Sequence, residues 1–170
     1  MINISDFRVL CYFEEGRLGG PQIYILRLAK KLVNQIYIEL LVPVKDSKEL
    51  CQQCEEQELK YTISRISRIS KQWRVAIVYL LNFIPEIISS LIFIRNNQYD
   101  IVYVCGGSWQ YKGVIAGKLA GKKVLWHLND TYVPLIFRKV FSLFSSLADG
   151  YIYASDRTKI YYRPCIKLGK

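Results

Sequence analysis

Residues 100–107 read Asp-Ile-Val-Tyr-Val-Cys-Gly-Gly, an apolar run that follows an aspartate and ends at two glycines. A run that is hydrophobic throughout, without polar alternation, is typical of a strand covered on both faces of a parallel sheet. Similar short runs lie along the rest of the chain, at 7–13, 36–42, 59–63, 123–127 and 150–153. The sequence therefore predicts a series of short, buried strands.

Helical patterns separate most of these runs. Apolar residues fall at i, i+3, i+4 and i+7 within 25–32, and small residues recur at helical spacing within 109–120. Further helices are predicted from a cap at Asp46-Ser47 to about Glu58, over 135–147, and from a cap at Ser155-Asp156 to a break at Pro164. Strands and helices that alternate in this way pair in parallel through right-handed crossovers. The predicted fold class is α/β, a doubly wound, Rossmann-like parallel sheet.

Charge and composition narrow the class of protein. The chain has 170 residues, 51% of them hydrophobic, enough for one ordinary core, and a formal net charge of +10. Residues 1–59 carry 7 basic and 9 acidic side chains, whereas residues 60–170 carry 17 basic and 5 acidic ones. A basic second part favours anionic partners. Nucleic acid is not expected among them, because no recognition motif accompanies the charge.

The cysteines and the amino terminus bear on location. Five cysteines is an odd number, and most lie inside apolar runs, as reduced thiols do in cytosolic proteins. The first residues show no basic region followed by an apolar stretch, so no signal peptide is evident. We expect a cytoplasmic protein, with the inner face of the membrane as a further location suggested by the basic segment described next.

The apolar stretch 75–94 is long enough to cross a bilayer, but Glu86 near its centre opposes insertion. One interpretation is one or two buried helices in front of the strand at 101–105. The other is peripheral contact with an anionic membrane, because five basic residues and no acidic one lie just upstream: Lys60, Arg65, Arg68, Lys71 and Arg74. A solvated helix face explains those charges equally well, so both interpretations stay open.

Gly19 and Gly20 join the first predicted strand to the first helix, with Gln22 just beyond them. Glycines allow backbone N–H groups to converge on an anion at a helix amino terminus, where the helix dipole adds partial positive charge. The loop matches neither the dinucleotide fingerprint G-x-G-x-x-G nor a Walker loop. It is a candidate phosphate site, with a simple tight turn as the alternative.

His127, the only histidine of the chain, ends a predicted strand and is followed by Asn129 and Asp130. Ligands bind at the carboxyl ends of strands in such sheets, so His127 is a candidate general base or partner of a sugar hydroxyl, with a structural role as the alternative. Cys51 and Cys54 have C-x-x-C spacing but lack a second pair of ligands. No metal site is predicted.

The order of these motifs resembles the retaining glycosyltransferases of family 4, which have the two-domain GT-B fold. Gly-Gly-Pro-Gln at 19–22 is similar to the G-G-x-[EQ] start of that family. The segments 99–104, 121–127 and 148–155 are similar to its "pDvVhv", "k.v…H.d" and "ad.ii..S" motifs, in the same order. The family commonly has its histidine directly before the acid, where this chain has Asn129.

The resemblance implies a function and a division of the chain. Residues 1–155 would be the amino-terminal, acceptor-side domain, and 156–170 a truncated linker or tail, with the carboxyl-terminal donor-binding domain absent or supplied by a partner. The resemblance implies that Gly19 and Gly20 approach the donor diphosphate with Gln22 nearby, and that His127, Asn129 and Asp130 line the acceptor side, His127 as the catalytic candidate.

The expected activity is transfer of a sugar from a nucleotide-sugar donor to a lipid-linked or glycan acceptor in the synthesis of cell-surface polysaccharide or lipopolysaccharide. The nucleotide sugar is a co-substrate, and no other cofactor is expected. The isolated chain would be incomplete or inactive. The alternative is a non-catalytic module that binds the membrane surface, or one subunit of a split enzyme.

Overall fold

Six parallel strands form one sheet in the order β3-β2-β1-β4-β5-β6. The computed structural model describes residues 7–69 and 72–166. The strands are β1 (Arg8–Phe13), β2 (Tyr37–Pro43), β3 (Tyr61–Ser64), β4 (Ile101–Cys105), β5 (Lys123–Leu128) and β6 (Gly150–Tyr153). The predicted doubly wound α/β fold is confirmed, and each predicted strand is present within about two residues of its expected ends.

Helices connect consecutive strands and cover both faces of the sheet. They are α1 (Gly20–Leu32), α2 (Lys48–Glu56), α3 (Trp73–Asn96), α4 (Tyr111–Leu119), α5 (Leu135–Phe144) and α6 (Asp156–Tyr162). Short 3₁₀ turns follow α5 at Ser145–Leu147 and α6 at Arg163–Cys165. The strand order reverses its direction between β1 and β4, which is where ligand crevices open in sheets of this type.

Two apolar cores lie on the two faces of the sheet. One is shared with α1 and α2 and includes Phe13, Ile25 and Leu50. The other is shared with α3, α4 and α5 and includes Trp126 and Phe141. Fully buried aromatic side chains supply much of the apolar area that stabilises such a fold.

Helix α4 lies unusually close to the sheet because small residues face it. A Cβ atom added to Gly113 would come within 2.5 Å of the Tyr12 ring, and one added to Gly117 within 2.9 Å of Val124. The small residues that predicted a helix at 109–120 therefore also explain its close packing.

The ends of two helices test the predicted caps. The Ser155 hydroxyl accepts a hydrogen bond from the Thr158 N–H, so the cap predicted for the last helix is confirmed. Ser47 precedes α2, but its side chain makes no cap hydrogen bond and instead donates to the Val44 carbonyl oxygen. Ser47 thus occupies the predicted N-cap position, but with φ of −105° and ψ of 4° it lacks the extended backbone of a capping residue and makes no cap hydrogen bond.

The segment after β6 returns to the domain instead of leaving it. Tyr162 of α6 is fully buried, and its hydroxyl donates to Asp130 Oδ1 at 2.6 Å and lies 2.9 Å from the Ser108 hydroxyl. Residues 156–166 therefore belong to the folded unit. Residues 167–170 of the predicted tail lie outside the described part of the chain.

Helix α3 contradicts the first of the two interpretations of the apolar stretch 75–94, that it forms buried helices. It is one continuous helix of 24 residues that passes through Pro85, and it is long and apolar enough to cross a membrane by length and composition. Only a narrow face packs against the domain. Eight of its large apolar residues are more than two-fifths exposed: Trp73, Ile77, Val78, Leu80, Leu81, Ile84, Ile88 and Ile92. Periodicity could not reveal this, since apolar residues surround the whole helix.

Candidate functional site

A cavity of about 340 Å³ opens at the carboxyl edge of the sheet. It lies where the start of α1 meets the ends of β5 and β6. The residues that line it are Gly20, Pro21, Tyr24, His127, Asn129, Ile152, Tyr153 and Ala154. The structure thus brings the glycine loop and the only histidine together at one cavity, as their positions at strand ends predicted.

His127 is 3% exposed and lies between two tyrosines. Its ring centroid is 5.2 Å from that of Tyr24 and 5.9 Å from that of Tyr103. Its Nδ1 atom is buried and has no hydrogen-bond partner within residues 7–69 and 72–166. Burial lowers the pKa of His127 from its usual value near 6.5, so the imidazole is neutral at physiological pH. A neutral ring with an unpaired nitrogen at a cavity can accept or donate one hydrogen bond.

Helix α1 begins at this cavity without a side-chain cap. Gly19 is the N-cap residue in extended conformation, and Pro21 occupies the first turn, where its missing N–H costs nothing. No acidic side chain lies in the first turn. A Cβ atom on Gly20 would meet nothing within 4 Å, so open space surrounds this backbone. The uncapped N–H groups and the helix dipole favour an anion here.

Gln22 has a different place from the one that the sequence suggested. Its side chain is 3% exposed, and its amide donates to the Glu15 carbonyl oxygen at 3.1 Å. It is not among the residues that line the cavity, and neither is Gly19. Gln22 therefore holds the loop between β1 and α1 in shape, and Gly20 supplies the surface of the site.

Asp130 is likewise occupied within the protein. Its carboxylate accepts hydrogen bonds from the Trp109 indole, the Ser108 hydroxyl and the Tyr162 hydroxyl. Gly107, with φ of +100°, packs directly against the loop after β5: a Cβ atom added to it would lie 2.8 Å from the Asn129 amide oxygen. Asn129 lines the cavity, whereas Asp130 fastens the loop after β4 to the loop after β5.

Residues that the motifs missed complete the cavity. Tyr24 follows Gly20 by one helical turn, and Ile152 and Tyr153 end the next strand of the sheet. Their positions followed from the predicted α/β order, since residues at neighbouring strand ends share one edge. Their types carried no chemical signal that would have singled them out.

A buried polar cluster lies on the other side of β1, under the start of α4. Lys112, fully buried, contacts the Glu86 carboxylate, donates to the Ser67 carbonyl oxygen at 2.6 Å and lies 3.9 Å from the Tyr79 ring centroid. Glu14 Oε1 accepts from the Lys112 backbone N–H at 2.9 Å. Burial raises the pKa of Glu14 to about 7, and the nearby Lys112 charge offsets this only in part.

No metal centre accompanies these residues. Across the described ranges, no group of three or more histidine, cysteine, aspartate or glutamate side chains is placed to hold a metal ion. Cys51 and Cys54 are both free thiols on α2, and burial raises the pKa of Cys54 to about 12. At neutral pH Cys54 is therefore a protonated thiol and not the thiolate that reacts or binds metals.

The fold is similar to that of several larger proteins. HepE from Anabaena, in complex with UDP and glucose, matches with a TM-score of 0.70 at 15% identity, over 96% of this chain and 42% of that chain. The lipopolysaccharide outer core galactosyltransferase WaaB matches with a TM-score of 0.61 at 16% identity, over 93% and 42%. A UDP-N-acetylglucosamine 2-epimerase matches with a TM-score of 0.62 at 14% identity, over 96% and 46%.

These likenesses establish the fold: a Rossmann-like domain that matches the amino-terminal half of GT-B glycosyltransferases. No protein-family model and no curated protein matches the sequence. The chain spans less than half the length of each of the three structures.

Proposed function

We propose that this chain is the amino-terminal, acceptor-side half of a nucleotide-sugar-dependent glycosyltransferase similar to family 4 and retaining. It would transfer a sugar to a lipid-linked or glycan acceptor in the synthesis of cell-surface polysaccharide or lipopolysaccharide. One observation carries the proposal: an uncapped helix start and an unpaired, buried histidine line the same cavity at the carboxyl edge of the sheet. HepE, which shares the fold, was solved with UDP and glucose.

Each part of the cavity has a role in this proposal. The N–H group of Gly20, with the positive end of the α1 dipole, holds the donor diphosphate as it leaves the sugar. Neutral His127 hydrogen-bonds a hydroxyl of the transferred sugar and, with Asn129, fixes its orientation. A second domain, on the same polypeptide or on a partner, supplies the rest of the donor site.

The proposal is tested by supplying that second half. In glycosyltransferases of family 4, the carboxyl-terminal domain holds the nucleotide sugar largely through an E-x7-E motif, two glutamates with seven residues between them. The polypeptide encoded downstream should carry this motif, and together the two should release UDP from UDP-sugar in the presence of a lipid-linked acceptor. His127→Phe keeps the ring contacts with Tyr24 and Tyr103 but removes the nitrogens. We expect it to lower kcat by about a hundredfold, the usual effect of losing one positioned polar group. An unchanged kcat would contradict the role of His127.

The donor site can be tested separately from the activity, because binding of UDP can be measured on this chain alone. UDP titrated into isotope-labelled protein should shift the backbone signals of Gly20, Tyr24 and Asn129, which line the cavity. Shifts confined to another part of the molecule at millimolar UDP would contradict the donor site. Arg157→Ala, on the exposed surface of α6, serves as the control variant with unchanged shifts.

Helix α3 supports a second candidate function, a peripheral membrane module on the cytoplasmic face. Leu80 and Leu81 are 70% and 73% exposed, and Glu86, the one acidic residue of the helix, turns inward to Lys112. The buried ion pair opposes a transmembrane position, because the same helix contributes to the core. A helix with one face in the protein and an apolar face outside is suited to lie in the plane of an anionic bilayer.

Vesicle flotation distinguishes the two candidates. The chain should float with vesicles that contain one-third phosphatidylglycerol, and Leu81→Lys combined with Ile84→Lys should abolish flotation. Ile160→Lys is the matched control, because Ile160 is 73% exposed but lies on α6. Flotation without any sugar transfer, even with the second half supplied, would favour the binding module. If the chain does not float, the membrane-binding function is excluded and the transferase function remains.

A further inference from the structure

Two adjoining cavities lie at the same carboxyl edge but apart from His127. The larger, about 530 Å³, is the Trp109 cavity, and the smaller, about 200 Å³, is the Val78 cavity. Glu14 and Arg68 line both. The Trp109 cavity is bounded by loops that follow β1, β3, β4 and β5, and the Val78 cavity extends to the first turns of α3.

Basic groups dominate the polar lining. Arg17, Lys45, Arg68 and Arg74 line one cavity or the other. Arg68 is held by Glu15 Oε2 at 2.6 Å, while its buried Nε has no partner among the residues that the structure describes. Arg17 shares that carboxylate and is 63% exposed. Asp46 Oδ2 also lies 3.9 Å from Arg68 Nη2, so two carboxylates accompany these two guanidinium groups. The excess of positive charge comes from Lys45 and Arg74, which pair with no carboxylate among the residues that the structure describes, and it favours a multiply charged anion.

The carboxyl group at the base of both cavities adds little opposing charge. Glu14 is 2% exposed, and its pKa of about 7 leaves it partly protonated at neutral pH. Its carboxyl group accepts hydrogen bonds from the Lys112 and Gly113 N–H groups and from the Tyr79 hydroxyl, which lies 3.4 Å from Oε2. Glu14 therefore offsets only part of the positive charge above it.

Apolar side chains line both cavities on either side of Arg68. In the Trp109 cavity the rings of Trp109 and Phe137 lie with centroids 4.3 Å apart, beside Ile69. In the Val78 cavity Val75 and Val78 lead outward, and Val78 is also part of the exposed apolar face of α3. A ligand bound at Arg68 can thus reach an aromatic wall on one side and the α3 surface on the other.

We propose that these two cavities bind a single-chain lipid diphosphate that carries a saccharide. Arg68 and Arg17 hold the diphosphate, the saccharide lies against Trp109, and the hydrocarbon chain passes Val78 onto α3. This inference rests on the proposed transferase function and refines it. The acceptor then lies in these cavities, and Asp130, which the resemblance placed on the acceptor side, acts by holding the Trp109 indole.

Calorimetric titration of the full chain with farnesyl diphosphate, below its micellar concentration, tests the proposal. Farnesyl diphosphate should bind more tightly than either inorganic pyrophosphate or farnesol, because each of these lacks one half of the contacts. Arg68→Ala should weaken binding at least about tenfold, the effect of losing a charge-assisted pair. Arg27→Ala, an exposed arginine on α1, is the matched control and should leave binding unchanged.

A second variant is needed because Arg68→Ala also removes the ion pair with Glu15 and can alter the packing of the loop. Val78→Asp, at a position 49% exposed, should weaken farnesyl diphosphate but leave pyrophosphate unchanged. Equal binding of farnesyl diphosphate and pyrophosphate, displacement by UDP, or equal binding of a short-chain phosphatidylglycerol would overturn the proposal. Because the titration needs neither donor nor second domain, binding without sugar transfer would refute the transferase and retain the lipid diphosphate site.

Discussion

Replacing Glu14 by glutamine should make the protein more stable at neutral pH, although the carboxyl group accepts hydrogen bonds. Glu14 is 2% exposed, and burial raises its pKa from its ordinary 4.5 to about 7. The folded protein therefore keeps this proton over a pH range in which the unfolded chain has lost it. Stability attributable to the protonated group is present below pH 4.5 and is lost as the pH rises towards 7.

The size of the effect follows from the two pKa values. A difference of about 2.5 units corresponds to about 3 kcal/mol between the acidic and neutral ends of the range. Glutamine has no proton to lose. Its oxygen can accept from the Lys112 N–H, and its amide can donate to the Tyr79 hydroxyl, as the present contacts allow. Relative to the parent, Glu14→Gln should gain stability steadily from pH 4.5 to 7.5.

Urea unfolding of both proteins at half-unit pH intervals measures this difference. Glu39→Gln provides a control of opposite sign. Burial acts to raise the pKa of Glu39, but hydrogen bonds from Thr62, Tyr99 and Tyr37 outweigh it and hold the pKa below its usual value. Relative to the parent, that variant should lose stability as the pH rises from the folded pKa to the unfolded value of 4.5, and the deficit should then stay constant up to pH 7.5. Parallel stability curves for Glu14→Gln and the parent would refute the reasoning.

Three further substitutions and one pH titration have defined outcomes. Gly113→Ala should lower the free energy of unfolding by about 2 kcal/mol or more, because its Cβ would meet the Tyr12 ring at 2.5 Å. Gly121→Ala, with φ of +74° and open space, should cost only about 1 kcal/mol in the same urea experiment. The imidazole signals of His127 should titrate with a midpoint below 6.5 in a pH series, since burial lowers its pKa, and a midpoint above 6.5 would contradict the buried site. Tyr162→Phe removes the hydrogen bond to Asp130 and the contact with the buried Ser108 hydroxyl and should cost about 1–3 kcal/mol, measured by thermal unfolding.

The sheet was predictable because its signal is local. Each strand is a short apolar run, and the alternation with helices determines parallel pairing, so the edge that carries the cavities followed without coordinates. His127 and Gly20 could be placed together for the same reason: both lie at strand ends on that edge.

The rest depends on side-chain partners that are distant in sequence. Asp130 and Gln22 have types suited to binding a ligand, yet Trp109, Tyr162 and the loop carbonyl of Glu15 occupy them. Helix α3 was misjudged because hydropathy reports how apolar a helix is and not how many of its faces meet the core. The pairing of Lys112 with Glu86 carries no sequence signal, since 26 positions separate them.

Both edge strands of the sheet, β3 and β6, have only four residues. Short edges offer few unpaired backbone groups to a neighbouring molecule, so they are poor templates for strand addition or fibril growth. Self-association in concentrated solution would accordingly involve the exposed apolar face of α3. Mild detergent should then disperse such clusters while the circular dichroism spectrum stays unchanged.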